Sequence, residues 1–174
     1  MKQVRLPFKF WILFGIALLL NGCGYHLVGT GSSLSSHLKT LFIPVFANSS
    51  SEPGIHRELT SAIINSFITD GRLKIVRKGN SDMVMKGSLF YYDLRAVSFT
   101  SSDFASDYIV KLGVEVEVID KINDKPYIKN KLTTKWDYRA TSDIVDTESA
   151  RLAALEEAYK ELGNRLVSLL IDQF

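Results

Sequence analysis

Apolar residues recur at helical spacing in two stretches of the chain. In residues 55–67 they stand three or four positions apart, and Gly71 follows where a left-handed residue can end a helix. In residues 150–171 the same spacing places a set of apolar side chains on one face: Ala154, Leu155, Ala158, Leu162, Leu166, Leu169 and Leu170. The pattern therefore predicts two long amphipathic helices. Ser51 and Thr147 are the predicted N-caps, because a hydroxyl can accept hydrogen bonds from first-turn N–H groups.

Five other runs are typical of β-strands: residues 40–46, 73–76, Met83–Phe99, 108–119 and 127–139. In the fourth run the apolar residues alternate and share one face: Tyr108, Val110, Leu112, Val114, Val116 and Val118. The other face carries charged residues, so one side of this strand is predicted to be covered and the other solvated. Pro44 interrupts the first run and indicates an edge strand or a bulge.

The order of these elements predicts the fold class. It reads strand, helix, four strands, helix, and a strand–helix–strand crossover gives a parallel pair. The later strands follow one another through short turns, which gives antiparallel pairs. We therefore expect an α+β, two-layer sandwich in which two long helices pack on one face of a mixed four- or five-stranded sheet.

The start of the chain has the pattern of an export signal. Basic residues precede an apolar run over residues 10–20, which is much shorter than the roughly 20 residues that a membrane-spanning helix needs. The sequence Leu-Asn-Gly-Cys at residues 20–23 then resembles a bacterial lipobox. This predicts cleavage between Gly22 and Cys23 and a Cys23 that carries N-palmitoyl and S-diacylglycerol groups, whose several acyl chains would hold firmly in a membrane. The alternative is an ordinary secretory signal with a chance cysteine.

These features predict three parts of the chain. Residues 1–22 are the removed lipoprotein signal peptide, residues 23–39 a lipid-anchored tether, and residues 40–174 a single sandwich domain. Gly24 after the cysteine resembles the class of lipoproteins that is sorted to the outer membrane. Cys23 is the one cysteine in the sequence, so no internal disulfide is expected.

The net charge of the chain changes from positive to negative when the predicted signal is removed. The full chain has 21 basic and 19 acidic residues, and residues 1–22 hold three of the basic ones and none of the acidic ones. The mature chain then has 18 basic and 19 acidic residues, a net charge of −1. A nucleic-acid-binding protein is not expected, because it would need a strong basic excess.

Motifs of catalytic chemistry are missing from the sequence. It contains no G-x-S-x-G, no phosphate-binding P-loop and no G-x-G-x-x-G. The histidines do not have the spacing of metal ligands: His26, His37 and His56. The second helix carries Glu156, Glu157 and Glu161 beside Lys160 and Arg165, which favours a solvated face with ion pairs over a catalytic carboxylate pair. We expect no enzyme, no metal and no cofactor.

Two segments resemble a known family. Residues 23–29, CGYHLVG, resemble the start of mature lipopolysaccharide-assembly lipoproteins (LptE), which typically read Cys-Gly-aromatic-x-Leu-x-Gly. Residues 41–76, LFIPVFANSSSEPGIHRELTSAIINSFITDGRLKIV, are similar to the first strand, helix and second strand of that family. The resemblance extends loosely beyond residue 100 to the last helix.

The resemblance implies a place and a function. Members are anchored by lipid to the periplasmic side of the outer membrane, where they plug and help to assemble the β-barrel (LptD) that delivers lipopolysaccharide to the cell surface. Members also bind lipopolysaccharide through basic residues. Alternatives that the residues leave open are an envelope adaptor lipoprotein of another complex, without a lipopolysaccharide role, and a secreted hydrolase with an atypical site.

Candidates for lipopolysaccharide binding come from the last predicted strand. The region 100–107, where the family carries basic residues, has two aspartates and no basic residue here. The following strand offers four cations that could grip phosphate through charge-assisted bonds: Lys131 and Lys135 first, then Lys129 and Arg139. Lys131 and Lys135 share one face of a regular strand. The alternative is an edge strand whose lysines prevent aggregation.

Overall fold

The helices form where the sequence repeats apolar residues. The structure, a computed structural model, describes residues 34–172; Gly22, Cys23 and the signal lie outside them, so cleavage and lipidation remain predictions. Helix α1 spans Ile55–Asp70 and helix α2 spans Ile144–Ile171. Gly71 ends α1 with a φ of 75°, and its N–H donates to the Phe67 carbonyl at 3.1 Å. This confirms the predicted end of the first helix.

The predicted cap of α1 is wrong. The N-cap position is Gly54, which has no side chain that could accept a hydrogen bond from the first turn. Ser51 is held in the preceding loop, where its hydroxyl lies 3.5 Å from the Tyr92 carbonyl. The side chain of Asn48 organises this loop, because its Oδ1 accepts from the Ser50 N–H at 3.0 Å and its Nδ2 donates to the Glu52 carbonyl at 2.8 Å. An Asx-type turn at residues 48–50 therefore shapes this loop, and Ser51 lies three residues before the N-cap position, Gly54.

The predicted cap of α2 is also wrong. The helix begins earlier than its apolar pattern indicates, and the Asp143 carboxylate accepts from the N–H groups of Val145 and Asp146 at 2.7 and 3.2 Å. Thr147 lies inside the first turns, and its hydroxyl exchanges hydrogen bonds with the backbone of Thr141. The aspartate takes the cap because an acceptor with a negative charge is favourable at a helix N-terminus.

Within residues 34–172 six strands form one mixed sheet. They are β1 (Thr40–Phe42), β2 (Ala47–Asn48), β3 (Lys74–Ile75), β4 (Met83–Phe99), β5 (Ala105–Asp120) and β6 (Lys125–Arg139). Their order is β3-β1-β4-β5-β6, and β2 also pairs with β4. The pairs of β1 with β3 and β4, and of β2 with β4, are parallel, whereas β4, β5 and β6 are antiparallel. The sheet has one short strand more than the largest predicted number.

Pro44 explains the extra strand. The predicted run 40–46 is split, so that β1 ends at Phe42 and β2 begins at Ala47. Proline has no N–H to donate to a ladder, so pairing stops around it. The edge-strand alternative is wrong for β1, because this strand lies between β3 and β4. The interruption lets Phe46 turn into the core, where a Cβ on Gly87 would overlap its ring.

The helices cover one face of the sheet and enclose the core. The alternating apolar residues of β5 are each at most 1% exposed: Val110, Leu112, Val114, Val116 and Val118. They meet the apolar faces of the two helices, whose residues include Leu59, Ile63 and Phe67 of α1 and Leu155, Leu162 and Leu166 of α2. This confirms the α+β, two-layer fold class.

The described chain starts at one end of the long strands. Leu38 is 2% exposed and belongs to the core, and the N–H groups of Lys39 and Thr40 donate to the Asp82 carboxylate at 3.0 and 2.9 Å. Asp82 immediately precedes β4. The opposite end of β4 leads into the hairpin turn before β5, so the start of the described chain and this turn lie at opposite ends of the sheet.

Candidate functional site

The four basic candidates lie on the face of the sheet opposite the helices. Along β6 the residues Ile128, Leu132, Trp136 and Tyr138 pack against the core. The residues between them are exposed, and they include Lys129, Lys131, Lys135 and Arg139. Because side chains alternate along a strand, all four candidates share this outer face. Asn130, which interrupts the apolar pattern, does not interrupt the strand.

Three of the candidates have acidic partners on β5. The ammonium groups of Lys129 and Lys131 lie 3.8 and 3.5 Å from the Glu115 carboxylate. The Arg139 guanidinium donates to Asp107 at 3.3 Å. Such exposed pairs typically contribute less than about 1 kcal/mol to stability. Their positive charge is nevertheless partly compensated before any ligand arrives.

Lys135 has a different environment. Its register partner on β5 is Lys111, and neither ammonium forms an ion pair with a residue of the described range 34–172. The two lysines line an open groove of about 390 Å³ together with Tyr91, Thr133 and others. No carboxylate of residues 34–172 lines this groove. Asp93, the register partner of Lys111 on β4, pairs with Arg95 instead. Two cations without an ion pair in the described range, beside hydroxyl groups, suit a phosphate or a carboxylate.

Lys111 is the site residue that the sequence pattern does not single out. The alternation of β5 places it on the solvated face, but its closeness to Lys135 depends on the register between two strands. That register is set by the turn and by packing of both strands on the core. A period-2 pattern in each strand separately contains no such information.

Two exposed aromatic side chains lie next to the groove. A β-bulge between Leu89 and Tyr91 adds one residue, so Phe90 and Tyr91 are both exposed, at 36% and 37%. Gly113 lies beneath them, and a Cβ on it would come within 2.8 Å of Phe90 Cζ and 2.9 Å of Tyr91 Cβ. The Lys131 ammonium stands 5.3 Å from the centre of the Phe90 ring, a cation–π distance. The outer face therefore combines cations with flat apolar surface.

Acidic residues of α2 divide into two groups. Lys160 lies 3.1 Å from Glu156 and 2.9 Å from Glu157, which confirms the predicted solvated face. Glu161 pairs with Arg165 at 3.4 Å as predicted. Its other oxygen also accepts from the Thr134 hydroxyl at 2.5 Å and from the Trp136 indole N–H at 3.0 Å. Glu161 thus fastens α2 to β6, a contact between elements far apart in sequence.

A second polar cluster holds the start of the described chain. Asp120 is 5% exposed and accepts from the N–H groups of Ile122 and Asn123 at 2.8 and 3.1 Å. His37 Nε2 lies 3.2 Å from its other oxygen, to which the Asn123 amide donates at 2.8 Å. Burial raises the pKa of Asp120, but the hydrogen bonds from Asn123 and His37 outweigh it and lower this pKa to about 2. The cluster therefore joins the start of the described chain to the turn after β5.

A broad groove runs between the two helices. It measures about 830 Å³ and is lined by polar and charged residues together with Ala62, Leu152 and Tyr159. The Tyr159 hydroxyl is buried without a hydrogen-bond partner in the described range, and burial raises its pKa. Within residues 34–172 no helix is both long enough and apolar enough to cross a membrane.

Comparison with known proteins identifies the family. The model of the LptE family, described as lipopolysaccharide-assembly, matches residues 38–170. The chain belongs to the LptE family. The match begins at Leu38, the first buried residue of the described range, and ends at Leu170 in the last turn of α2. This family is the one of lipopolysaccharide-assembly lipoproteins.

Solved structures share the fold of this LptE chain. A hypothetical protein, CT253, from Chlamydia trachomatis has a TM-score of 0.54 at 8% identity, covering 76% of this chain and 98% of its own. Lipoprotein B from Nitrosomonas europaea has a TM-score of 0.54 at 12% identity, covering 75% and 80%. Rare lipoprotein B from Shewanella oneidensis has 0.50 at 18% identity, covering 71% and 90%. No curated protein sequence matches this LptE chain significantly.

Proposed function

We propose that this LptE-family chain is an outer-membrane lipoprotein that plugs and helps to assemble the β-barrel translocon for lipopolysaccharide. The observation that carries the proposal is the family match over residues 38–170. Cys23 with its three acyl chains would hold the chain on the periplasmic side of the membrane. The role is structural and not enzymatic, and its partners are an LptD-like barrel and lipopolysaccharide.

The form of the chain supports a plug. The helices and the sheet enclose one apolar core, while both outer surfaces carry many charged side chains. Large outer-membrane barrels have a polar lumen, so a polar exterior is compatible with a position inside one. A barrel that is wide enough to pass a lipid with sugars would otherwise leave an open channel.

Lipopolysaccharide binding is proposed for the outer face of the sheet. Lys135 and Lys111 come first, because a phosphate bound there would displace no ion pair of the described chain. Lys131, Lys129 and Arg139 follow, because each already lies near a carboxylate. Aromatic surface at Phe90 and Tyr91 adds an apolar contact beside the cations. The competing role of the lysines, protection of an edge strand, applies least to Lys111, which lies in an interior strand.

The first test is affinity purification of the tagged chain from membrane extract, with a Cys23→Ala variant beside it. We expect the wild type to retain one large outer-membrane barrel in stoichiometric amount through detergent washing. Cys23→Ala should leave the membrane fraction. A wild type that purifies alone, or with a periplasmic partner, would replace the plug with the adaptor function.

A further inference from the structure

Strand β4 extends far beyond its neighbours on one side. On the β5 side it is paired along its whole length, from Met83 to Phe99. On the other side β1 and β2 reach only as far as Leu89. No strand of the described residues lies beside the distal part of β4, residues 91–99, on that side. We call this part the distal edge.

The backbone of the distal edge has unpaired groups at strand spacing. The carbonyls of Leu89 and Tyr92 point away from β5, since they accept from the Ser49 N–H at 2.8 Å and the Ser51 hydroxyl at 3.5 Å. In an antiparallel strand every second residue directs both its N–H and its C=O to the same side. Leu94 and Ala96 therefore direct theirs away from β5 as well, where no strand of the described range receives them.

The opposite edge of the sheet is protected more strongly than the distal edge, whose regular run carries one charged pair, Asp93 with Arg95. β6 carries lysines and a proline along its free side, and Arg165 donates to the outward carbonyl of Thr133 at 2.7 Å. Such features prevent strands from adding to an edge. The distal edge instead exposes Leu94, Val97 and Phe99, at 38%, 50% and 63%.

The chain already adds a strand to the part of β4 that immediately precedes the distal edge. β2 pairs with Ser88 and Leu89 in parallel, and the ladder stops there because the chain turns away into the loop before α1. The distal edge continues the same row of donors and acceptors. A row of N–H and C=O groups with this repeat matches an extended polypeptide, and the exposed apolar side chains favour apolar residues in it.

The edge is too short to bind a free partner firmly. Bulges between Leu89 and Tyr91 and between Ala96 and Ser98 limit the regular run to Tyr91–Ala96. A pair of chains joined by this run alone would bury much less than the roughly 1,200 Å² of a stable specific interface. A segment of a protein that is already held around the chain needs no such area, because its effective concentration is high.

We propose that the distal edge of β4 receives an extended, partly apolar segment of the export-barrel protein, which adds to the sheet as a strand. The inference rests on the proposed function, because the barrel is the partner that would hold such a segment in place. A second copy of this chain is the competing occupant.

Amide hydrogen exchange at residue resolution tests the proposal directly. The full chain is compared alone and in complex with the co-expressed barrel. Alone, the amides of Leu94 and Ala96 should exchange fast, whereas those of Asp93 and Arg95, which face β5, should exchange slowly. In the complex the exchange of Leu94 and Ala96 should slow by about tenfold or more, as for amides that enter a ladder.

A pair of variants at one position provides a matched control. Ala96→Pro removes the outward N–H without removing a bond to β5, and it should lower the yield of the barrel complex. Ala96→Ser keeps the N–H and should leave that yield unchanged. If Ala96→Pro fails to fold, the hydrogen-exchange comparison on the wild type still tests whether a strand adds to the distal edge.

The outcomes separate this inference from the function on which it rests. A barrel complex in which Leu94 and Ala96 exchange as in the free chain overturns the strand addition and leaves the plug intact. Protection that appears in the free chain as its concentration rises assigns the edge to a second copy and also overturns the proposal. Absence of any barrel complex refutes the proposed function and this inference together.

Discussion

Gly113 is the residue on which the shape of the outer face depends. It lies in the middle of β5, where Phe90 and Tyr91 cross the sheet so closely that a Cβ would come within 2.8 Å of one ring. Phe90 in turn lies beneath the Lys131 ammonium at 5.3 Å. The missing side chain thus supports an aromatic surface and the position of one candidate cation.

Gly113→Val should destabilise the chain by displacing Phe90. Overpacking of a close contact typically costs about 1–3 kcal/mol in the free energy of unfolding, and urea titration of the full chain measures it. Thr133→Val is the control, because Thr133 is the register partner of Gly113 on the same face and is exposed. Equal, small effects of both substitutions would show that the aromatic pair can move without loss.

Lys135→Gln and Lys111→Gln should each weaken the binding of lipopolysaccharide about tenfold. A charge-assisted hydrogen bond contributes about 1.5–3 kcal/mol, and neither lysine forms an ion pair within the described range. Binding of labelled lipopolysaccharide to the full chain in detergent measures the effect. Lys74→Gln removes the same charge from an exposed position on β3 and should leave the affinity unchanged. A loss of equal size in Lys74→Gln would assign the effect to net charge.

At the scale of elements, the contact of α2 with β6 depends on more than apolar packing. Glu161 accepts from Thr134 and Trp136, and Arg165 joins it while donating to the Thr133 carbonyl at 2.7 Å. Thr134 is 7% exposed, so its hydroxyl has little access to water. The long helix is therefore fixed to the last strand at a defined rotation.

Glu161→Ala should lower the free energy of unfolding by about 1–3 kcal/mol, because it leaves the buried Thr134 hydroxyl and the Trp136 N–H without their acceptor. Glu156→Ala on the same helix loses one exposed ion pair with Lys160 and should change stability by less than about 0.5 kcal/mol. Urea unfolding measures the free energy of unfolding of both variants. Similar losses for the two would contradict the role of Glu161 in holding α2 against β6.

At the scale of the whole molecule, Asp120 ties the start of the described chain to the β5–β6 hairpin. Its carboxylate lies 3.2 Å from His37 and 2.8 Å from the Asn123 amide. The contact between His37 and Asp120 therefore joins residues 83 positions apart in sequence. This end of the sheet is the one nearest in sequence to the proposed lipid anchor.

The hydrogen bonds of the Asp120 carboxylate should make the free energy of unfolding depend on pH in the acid range. The pKa of Asp120 is about 2 in the folded chain and about 3.9 when unfolded. The unfolded state therefore binds the proton first as pH falls. The stabilisation is complete above about pH 5 and is progressively lost as pH falls towards 2. Asp120→Asn should show a shallower fall in unfolding midpoint between pH 4 and 2. Parallel curves for the two proteins would exclude Asp120 as a source of the slope.

The sequence predicted the elements well where packing follows a period. The apolar positions of α1, α2 and β5 are buried as their spacing indicates, because each of these elements must cover one face with apolar residues. The two N-caps were predicted wrongly. Asp143 takes the first-turn N–H groups of α2 in place of Thr147, and the loop shaped by Asn48 keeps Ser51 ahead of α1. Propensity alone does not rank such alternatives.

The limits of sequence reasoning are clearest at the candidate site. The helices, the long strands and the outward direction of Lys129, Lys131 and Lys135 follow from periodicity, which is a local property of the chain. The pairing of Lys111 with Lys135, the bulge at Phe90 and the unpaired distal edge of β4 do not follow from it. They arise from the register between strands and from where neighbouring strands stop, and both are settled by packing among residues far apart in sequence.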